Sequence, residues 1–193
     1  MTDSILFDLL ERLSSLTRIW FRQHPLLAEL QPIQLSALMY LARCNHYSNT
    51  PLGVTDYLGL TKGTVSQSLK ALEAKGLIAK SQDARDKRSV HLQLTEPARA
   101  LLQALLPPDF LAAGEARMGE RGVQLQALLG ELLRELLREV QRSADVPSFG
   151  LCRSCRFHQQ VDGLPFCGLT QEPLAPADAA LICREHQAAE VTA

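Results

Sequence analysis

Four cysteines near the C-terminal end carry the first recognisable chemistry. Cys152, Cys155, Cys167 and Cys183 follow the spacing C-x2-C-x11-C-x15-C. The stretch that holds them, residues 151–187, is punctuated by proline and glycine and poor in large apolar residues, so it has little with which to build a core of its own. Four thiolates on a shared metal centre would cross-link it. Zinc accepts such a donor set, but all-cysteine zinc sites commonly combine two C-x-x-C pairs and only one is present here. One C-x-x-C followed by two isolated cysteines, flanked by Phe149, Phe157, Phe166, Leu169 and Ile182, suits an iron–sulfur cluster behind an apolar wall, the preferred of the two readings. His158 and His186 stand in C-x-x-H spacing to Cys155 and Cys183. Either could replace a cysteine as ligand, and free thiols or a redox-active Cys152/Cys155 pair remain the alternative to a metal. The fifth cysteine, Cys44, ends an apolar helical pattern and reads as a small buried residue.

A second constellation lies in residues 50–96. Thr50-Pro51 is a helix start, with threonine as N-cap and proline at the first helical position. That helix ends near Gly59, and Thr61 caps another. Val65, Leu69 and Leu72 recur at i, i+4, i+7, so one face of the second helix is buried until Gly76 stops it. The opposite face then carries Gly63, Gln67 and Lys70, with Thr64 and Ser66 on its flanks and Thr61 and Lys62 at its start. Short polar and basic side chains at a helix N-terminus suit insertion into a DNA major groove, where close approach and hydrogen-bonding tips read base edges. Two alternating segments follow, around Leu77–Lys80 and Val90–Leu94, joined by SQDARDKRS; they predict a hairpin. Arg85, Lys87 and Arg88 at its tip would reach phosphates or the minor groove, while Asp83 and Asp86 brace the loop. From Thr61 to Val90 there are seven Lys/Arg and three Asp/Glu, an excess of four in a chain whose net charge is −1.

The run LGLTKGTVSQSLKALEAKGLI followed by DARDKRSVHLQLT resembles the winged helix-turn-helix of the MarR family of bacterial transcriptional regulators, and the likeness extends over about residues 3–142. It implies a homodimeric DNA-binding repressor on a palindromic operator. It also suggests a small organic effector held between the first two helices and the helix after the wing, near Tyr40, His46 and Tyr47. The cysteine tail lies outside the resemblance, so its metal rests on spacing alone. If it holds a cluster, the tail would sense redox or iron status, and because it follows the dimer helix it would bias the spacing of the two DNA lobes.

These constellations need a mainly α (α+β) scaffold: a winged helix-turn-helix, a helical dimerisation region and a small cysteine-rich extension. Apolar residues make up 46% of the chain but aromatic ones only 5%, which leaves a core of leucine and alanine suited to helices. Residues 1–49 are expected to supply N-terminal helices, 50–96 the DNA-binding region, 97–142 the C-terminal dimerisation helices, and 143–193 the linker and metal-binding tail. A first helix over 3–22 follows a Thr2/Asp3 cap, and a second runs from Pro32 to about Arg43. Pro107-Pro108 should interrupt the helix that begins at Thr95, and the glycines of 109–122 predict a broken segment. Leu125, Leu128, Leu129, Leu132, Leu133, Leu136, Leu137 and Val140 then form a stripe opposite the pairs Glu131/Arg134, Glu135/Arg138 and Glu139/Arg142. No apolar run is long enough to cross a bilayer and no signal peptide is recognisable at the start, so a cytoplasmic protein without membrane contact is expected. Neither a phosphate-binding glycine loop nor a nucleophile elbow is present, and no enzyme activity is expected.

Overall fold

The structure is a computed structural model that describes residues 5–83 and 86–188. The expected Thr2/Asp3 cap and Arg85 lie outside the described residues. Helices α1 (Ile5–Gln23) and α2 (Pro32–Leu41) lead to α3 (Pro51–Leu58) and α4 (Lys62–Ala74). Strands β1 (Ile78–Gln82) and β2 (Val90–Leu94) form the antiparallel wing, with Ile78 opposite Leu94 and Gln82 opposite Val90. Helix α5 (Glu96–Leu105) precedes the long α6 (Asp109–Ser143). The tail adds a three-stranded antiparallel sheet, β3 (His158–Val161), β4 (Leu164–Cys167) and β5 (Glu172–Pro173), in that order. Among the described residues no helix is long and apolar enough to cross a membrane.

Local chemistry sets the boundaries. The Thr50 hydroxyl accepts from Gly53 N–H at 3.0 Å, Thr61 from Thr64 N–H at 3.2 Å, and Thr95 from Ala98 N–H, each satisfying a donor that an α-helix start leaves free. Gly59 closes α3 at φ 62°, a left-handed conformation open to glycine at no steric cost. The segment 109–122, expected to be broken or irregular helix, is helical with a break at Gly119, whose φ of 58° and ψ of −146° divide α6 into two helical segments. A single glycine absorbs the whole change of direction, so the flanking glycines stay in the helix.

The core joins α2, α3, α4, the wing and α5. Leu38, Val54, Leu72 and Ala98 are fully enclosed, and Tyr40 sits among them with Phe149 from the tail edge-on at 6.1 Å. By contrast α1 has no buried residue, and Ile5, Phe7 and Leu9 are open to solvent. On α6 Leu128, Leu129, Leu132, Leu137 and Val140 are each more than half exposed. Of the three charge pairs expected on that helix, Glu139–Arg142 closes at 2.7 Å.

The tail does not trail beyond α6. Its last segment returns to the loop between α2 and α3, where Ile182 N–H donates to Arg43 O at 2.8 Å and Asn45 N–H donates to Ile182 O at 2.9 Å. Leu72→Ala, at a fully buried site between α4 and the rest of the core, is expected to cost about 2–5 kcal/mol, read from urea unfolding at fixed protein concentration.

Candidate nucleic-acid interface and cysteine centre

Helix α4 presents two faces of opposite character. Val65, Ser68, Leu69 and Leu72 are buried. Thr61, Lys62, Gly63, Thr64, Ser66, Gln67 and Lys70 are all exposed, so the residues expected to read DNA share one free surface around the N-terminal half of the helix. A side chain at Gly63 would meet only the Thr61 hydroxyl, at 3.9 Å. The glycine is therefore not demanded by packing within the chain; what it does is keep that surface low.

The wing is held by carboxylates. Asp86 Oδ1 accepts from Arg88 N–H at 3.0 Å and Oδ2 from the Ser89 hydroxyl at 3.0 Å, while Asp83 Oδ1 accepts from Asp86 N–H at 2.8 Å. The backbone N–H of Arg88 and the Ser89 hydroxyl hold the Asp86 carboxyl below its ordinary range, because both donate to the charged form. Lys87 is exposed, and the Arg88 side chain, at 95% exposure, projects from this braced turn. His91 ties the wing to the body, bonding Asp83 at 2.9 Å on one ring nitrogen and Asn49 on the other.

The tail brings all four cysteines to one place. Cys152, Cys155, Cys167 and Cys183 line a single small cavity of about 20 Å³, completed by Tyr47, Phe157, His158, Leu169, Thr170 and Glu185. Cys152 and Cys155 sit at the two ends of a 3-10 turn, Cys167 ends β4, and Cys183 follows the strand-like contact of Ile182. Among the described residues no three His, Cys, Asp or Glu side chains converge at the spacing that one metal ion needs. Burial pushes the Cys152 thiol up to about 11, with Cys183, Cys167 and Cys155 adding to the effect, and burial raises Cys183 as well. Hydrogen-bond donors nonetheless face the sulfurs. Gln187 N–H lies 3.5 Å from Cys155 Sγ. Asn45 Nδ2 is buried without a regular hydrogen bond and borders Cys183, whose thiolate it favours.

The two histidines part ways. His186 is buried, with Nδ1 on the Ser148 hydroxyl at 2.6 Å and Nε2 on the Ser154 hydroxyl at 3.0 Å, so both nitrogens are engaged away from the sulfurs. His158 lines the cavity, its Nδ1 3.9 Å from Cys152 Sγ. Cys44 is buried, donates to Leu41 O and has its thiol pushed up to about 12 by burial, as an inert packed thiol should.

Sequence reasoning missed the residues that seat the tail. Arg184 Nε donates to Asp56 Oδ2 at 2.7 Å, Arg184 N–H to the Ser48 hydroxyl at 2.8 Å, and Tyr47 OH to Glu172 at 2.8 Å. A Cβ at Gly53 would collide with Ser48 O and the Tyr40 hydroxyl, and one at Gly150 would collide with the His186 ring. These are long-range contacts, and no local pattern announces them. Tyr40, His46 and Tyr47, expected beside an effector, are instead a core residue and two partners of the tail, with His46 on Asp178 at 3.0 Å.

A helix-turn-helix with a braced, cationic wing defines a winged-helix DNA reader, and comparison with known proteins relates it to a family. Residues 28–89 match the MarR family. The HTH-type transcriptional repressor NicR of Pseudomonas putida is 27% identical over 128 residues, covering 62% of this chain and 81% of NicR. A mutant of MepR from a multidrug resistant S. aureus clinical isolate matches at 25% identity with a TM-score of 0.56, covering 70% of this chain and 99% of MepR. Bordetella bronchiseptica BpsR, solved in a study of how 6-hydroxynicotinic acid regulates its DNA binding, shares the fold at 23% identity and a TM-score of 0.50, covering 70% and 95%. Over residues 28–89 the chain matches the MarR family, and its winged helix-turn-helix is similar to that of MarR-family transcriptional regulators.

Gly150→Ala should dislodge His186 from its two serines. Limited trypsin digestion is expected to cut the variant at Arg153 and Arg156 faster than the parent protein, while cleavage in α4 and the wing keeps the parent's rate.

Proposed function

We propose that this MarR-type DNA-binding transcriptional regulator acts as a homodimeric repressor on a palindromic operator and carries a four-thiolate metal centre in its tail. The observation that carries the DNA reading is the shared exposed face of α4 from Thr61 to Lys70 beside a wing braced by hydrogen bonds to Asp83 and Asp86. Lys70, Lys87 and Arg88 supply phosphate contacts and register, and the short side chains of α4 approach the bases. The apolar faces of α1 and α6 supply the dimer contact, because a leucine stripe of this size stays out of water only when a partner covers it. The name of NicR, a repressor, supports the direction of regulation.

The four cysteines fit a metal centre on chemical grounds. They surround one partly apolar cavity, two of the sulfurs face N–H or amide donors, and the buried Asn45 amide lacks any better acceptor than a thiolate at Cys183. One tetrahedral zinc draws its sulfurs to about 3.8 Å of one another, whereas a cluster spreads them over several iron atoms. The preference for a cluster over zinc rests on the cysteine spacing, which supplies one C-x-x-C pair and two isolated cysteines. Such a group would supply positive charge to thiols that burial otherwise keeps neutral, and its occupancy would make iron supply the signal.

A second reading has its own observation. A cleft of about 420 Å³ opens between α2, β2 and α5, lined by Leu41, Cys44, Asn49, Leu92, Arg99 and Leu102. It touches α2 and α5, two of the three helices between which the resemblance places an effector, though none of Tyr40, His46 and Tyr47, and BpsR, regulated by 6-hydroxynicotinic acid, shares the fold. In this reading an aromatic acid is the signal, Arg99 its counter-ion, and the tail a zinc clip.

Duplexes selected from a random library by the full-length protein should be two-fold symmetric, with half-sites about 10 base pairs apart. Lys70→Ala should weaken all duplexes alike and lower the salt slope by about one per protomer contact. Asymmetric or sequence-independent selection would overturn the operator reading. Protein isolated without oxygen should be brown and contain iron and sulfide, and Cys183→Ser should lose both; a colourless protein with zinc would favour the clip.

A further inference from the structure

We infer that the cysteine centre acts on the DNA-reading lobe of its own chain, through the clamp of residues 182–184 on the α2–α3 loop and α3, rather than through α6 and the dimer spacing. The inference rests on the metal reading of the four cysteines. Its basis is the position of Cys183. The preceding residue, Ile182, exchanges both of its backbone hydrogen bonds with Arg43 and Asn45. The following residue, Arg184, donates its backbone N–H to the Ser48 hydroxyl and its Nε to Asp56 in α3. Ser48 in turn donates to Asn45 Oδ1 at 2.7 Å, which aims the orphaned Asn45 amide nitrogen toward the Cys183 side of the loop.

A ligand at Cys183 is therefore one residue from the first helix of the helix-turn-helix. Both side chains of the Arg184–Asp56 pair are about 30% exposed, so the pair is partly shielded and geometrically defined rather than a loose surface contact. With the four sulfurs held together, residues 182–184 are fixed and α3 is pinned by Arg184. With the centre gone, Cys183 is released from Cys152, Cys155 and Cys167, and the strand loses the anchor that sets Arg184 over Asp56. The tail and α6 also border shared clefts, lined by Arg138 and Arg142 of α6 and by Ser154 and His186 of the tail, but none of these residues belongs to the helix-turn-helix.

The test uses full-length protein isolated without oxygen and the same protein stripped with ferricyanide and EDTA. Hydrogen–deuterium exchange over residues 43–58 should be about tenfold faster in the stripped form, and affinity for a duplex selected by the parent protein should differ between the forms by about five-fold or more. Asp56→Asn should keep its iron and visible absorption and bring the two affinities within about twofold. Arg184→Gln should do the same. Loss of metal from both variants would equally support the clamp, since a contact that transmits occupancy to α3 must by linkage stabilise the occupied centre. Iron-loaded variants that keep the parent's full difference, or parent forms of equal affinity and exchange, would overturn this inference alone. A parent protein that holds neither iron nor zinc would overturn it together with the metal reading.

Discussion

The short loop from Arg43 to Asn49 is the constraint on which the molecule depends, because several of its polar groups find their partners only outside it. Arg43 O and Asn45 N–H are taken by Ile182, Ser48 O by the buried Tyr40 hydroxyl, and Asn49 O by the backbone N–H of Leu92 in the wing at 2.6 Å. Buried backbone groups left unpaired are costly, so the loop must be met from three directions at once. Core, wing and tail are joined where those bonds converge. The collision a side chain would make at Gly53, against Ser48 O and Tyr40, shows how closely α3 is drawn onto the same loop.

From that junction the DNA-reading surface takes its orientation. Asn49 holds His91, His91 holds Asp83, and Asp83 holds the turn that presents Lys87 and Arg88. These hydrogen bonds matter because phosphate contacts by free lysine and arginine side chains lose conformational entropy on binding, and a preformed turn loses less. Asp86 contributes as a scaffold despite its charge; its carboxylate is turned into the loop's own N–H and hydroxyl donors. Helix α4 needs no such bracing, since its N-cap and four buried residues already fix the face that looks outward.

The tail follows a different logic from the core. It buries few large side chains, and what order it has comes from turns, short strand pairings and hydrogen bonds to serine, histidine and tyrosine. Four neutral thiols around a small cavity contribute little cohesion, whereas four thiolates on a cation contribute a great deal. If the proposed metal centre is present, a module of this composition would be sensitive to whether it is filled, in a way that a leucine core is not, and its attachment to the Arg43–Asn49 loop would carry that sensitivity to α3.

Much was legible in the sequence because it is written locally. Threonine caps, the glycines at 59 and 76, the i, i+4, i+7 spacing of Val65, Leu69 and Leu72, and the alternation on either side of the wing loop each fix backbone or burial within a few residues. The cysteine spacing marked the tail as one unit by the same kind of short-range pattern. Tertiary structure alone decided where that unit goes. Nothing near Ile182 in the chain names Arg43 as its partner, nothing near Arg184 names Asp56, and the glycines at 53 and 150 are needed only because Ser48 and His186 come from elsewhere. The physical reason is range: caps, turns and periodicity act through neighbours in sequence, while the pairing of a distant strand with an unsatisfied loop exists only once the core has brought both to the same place.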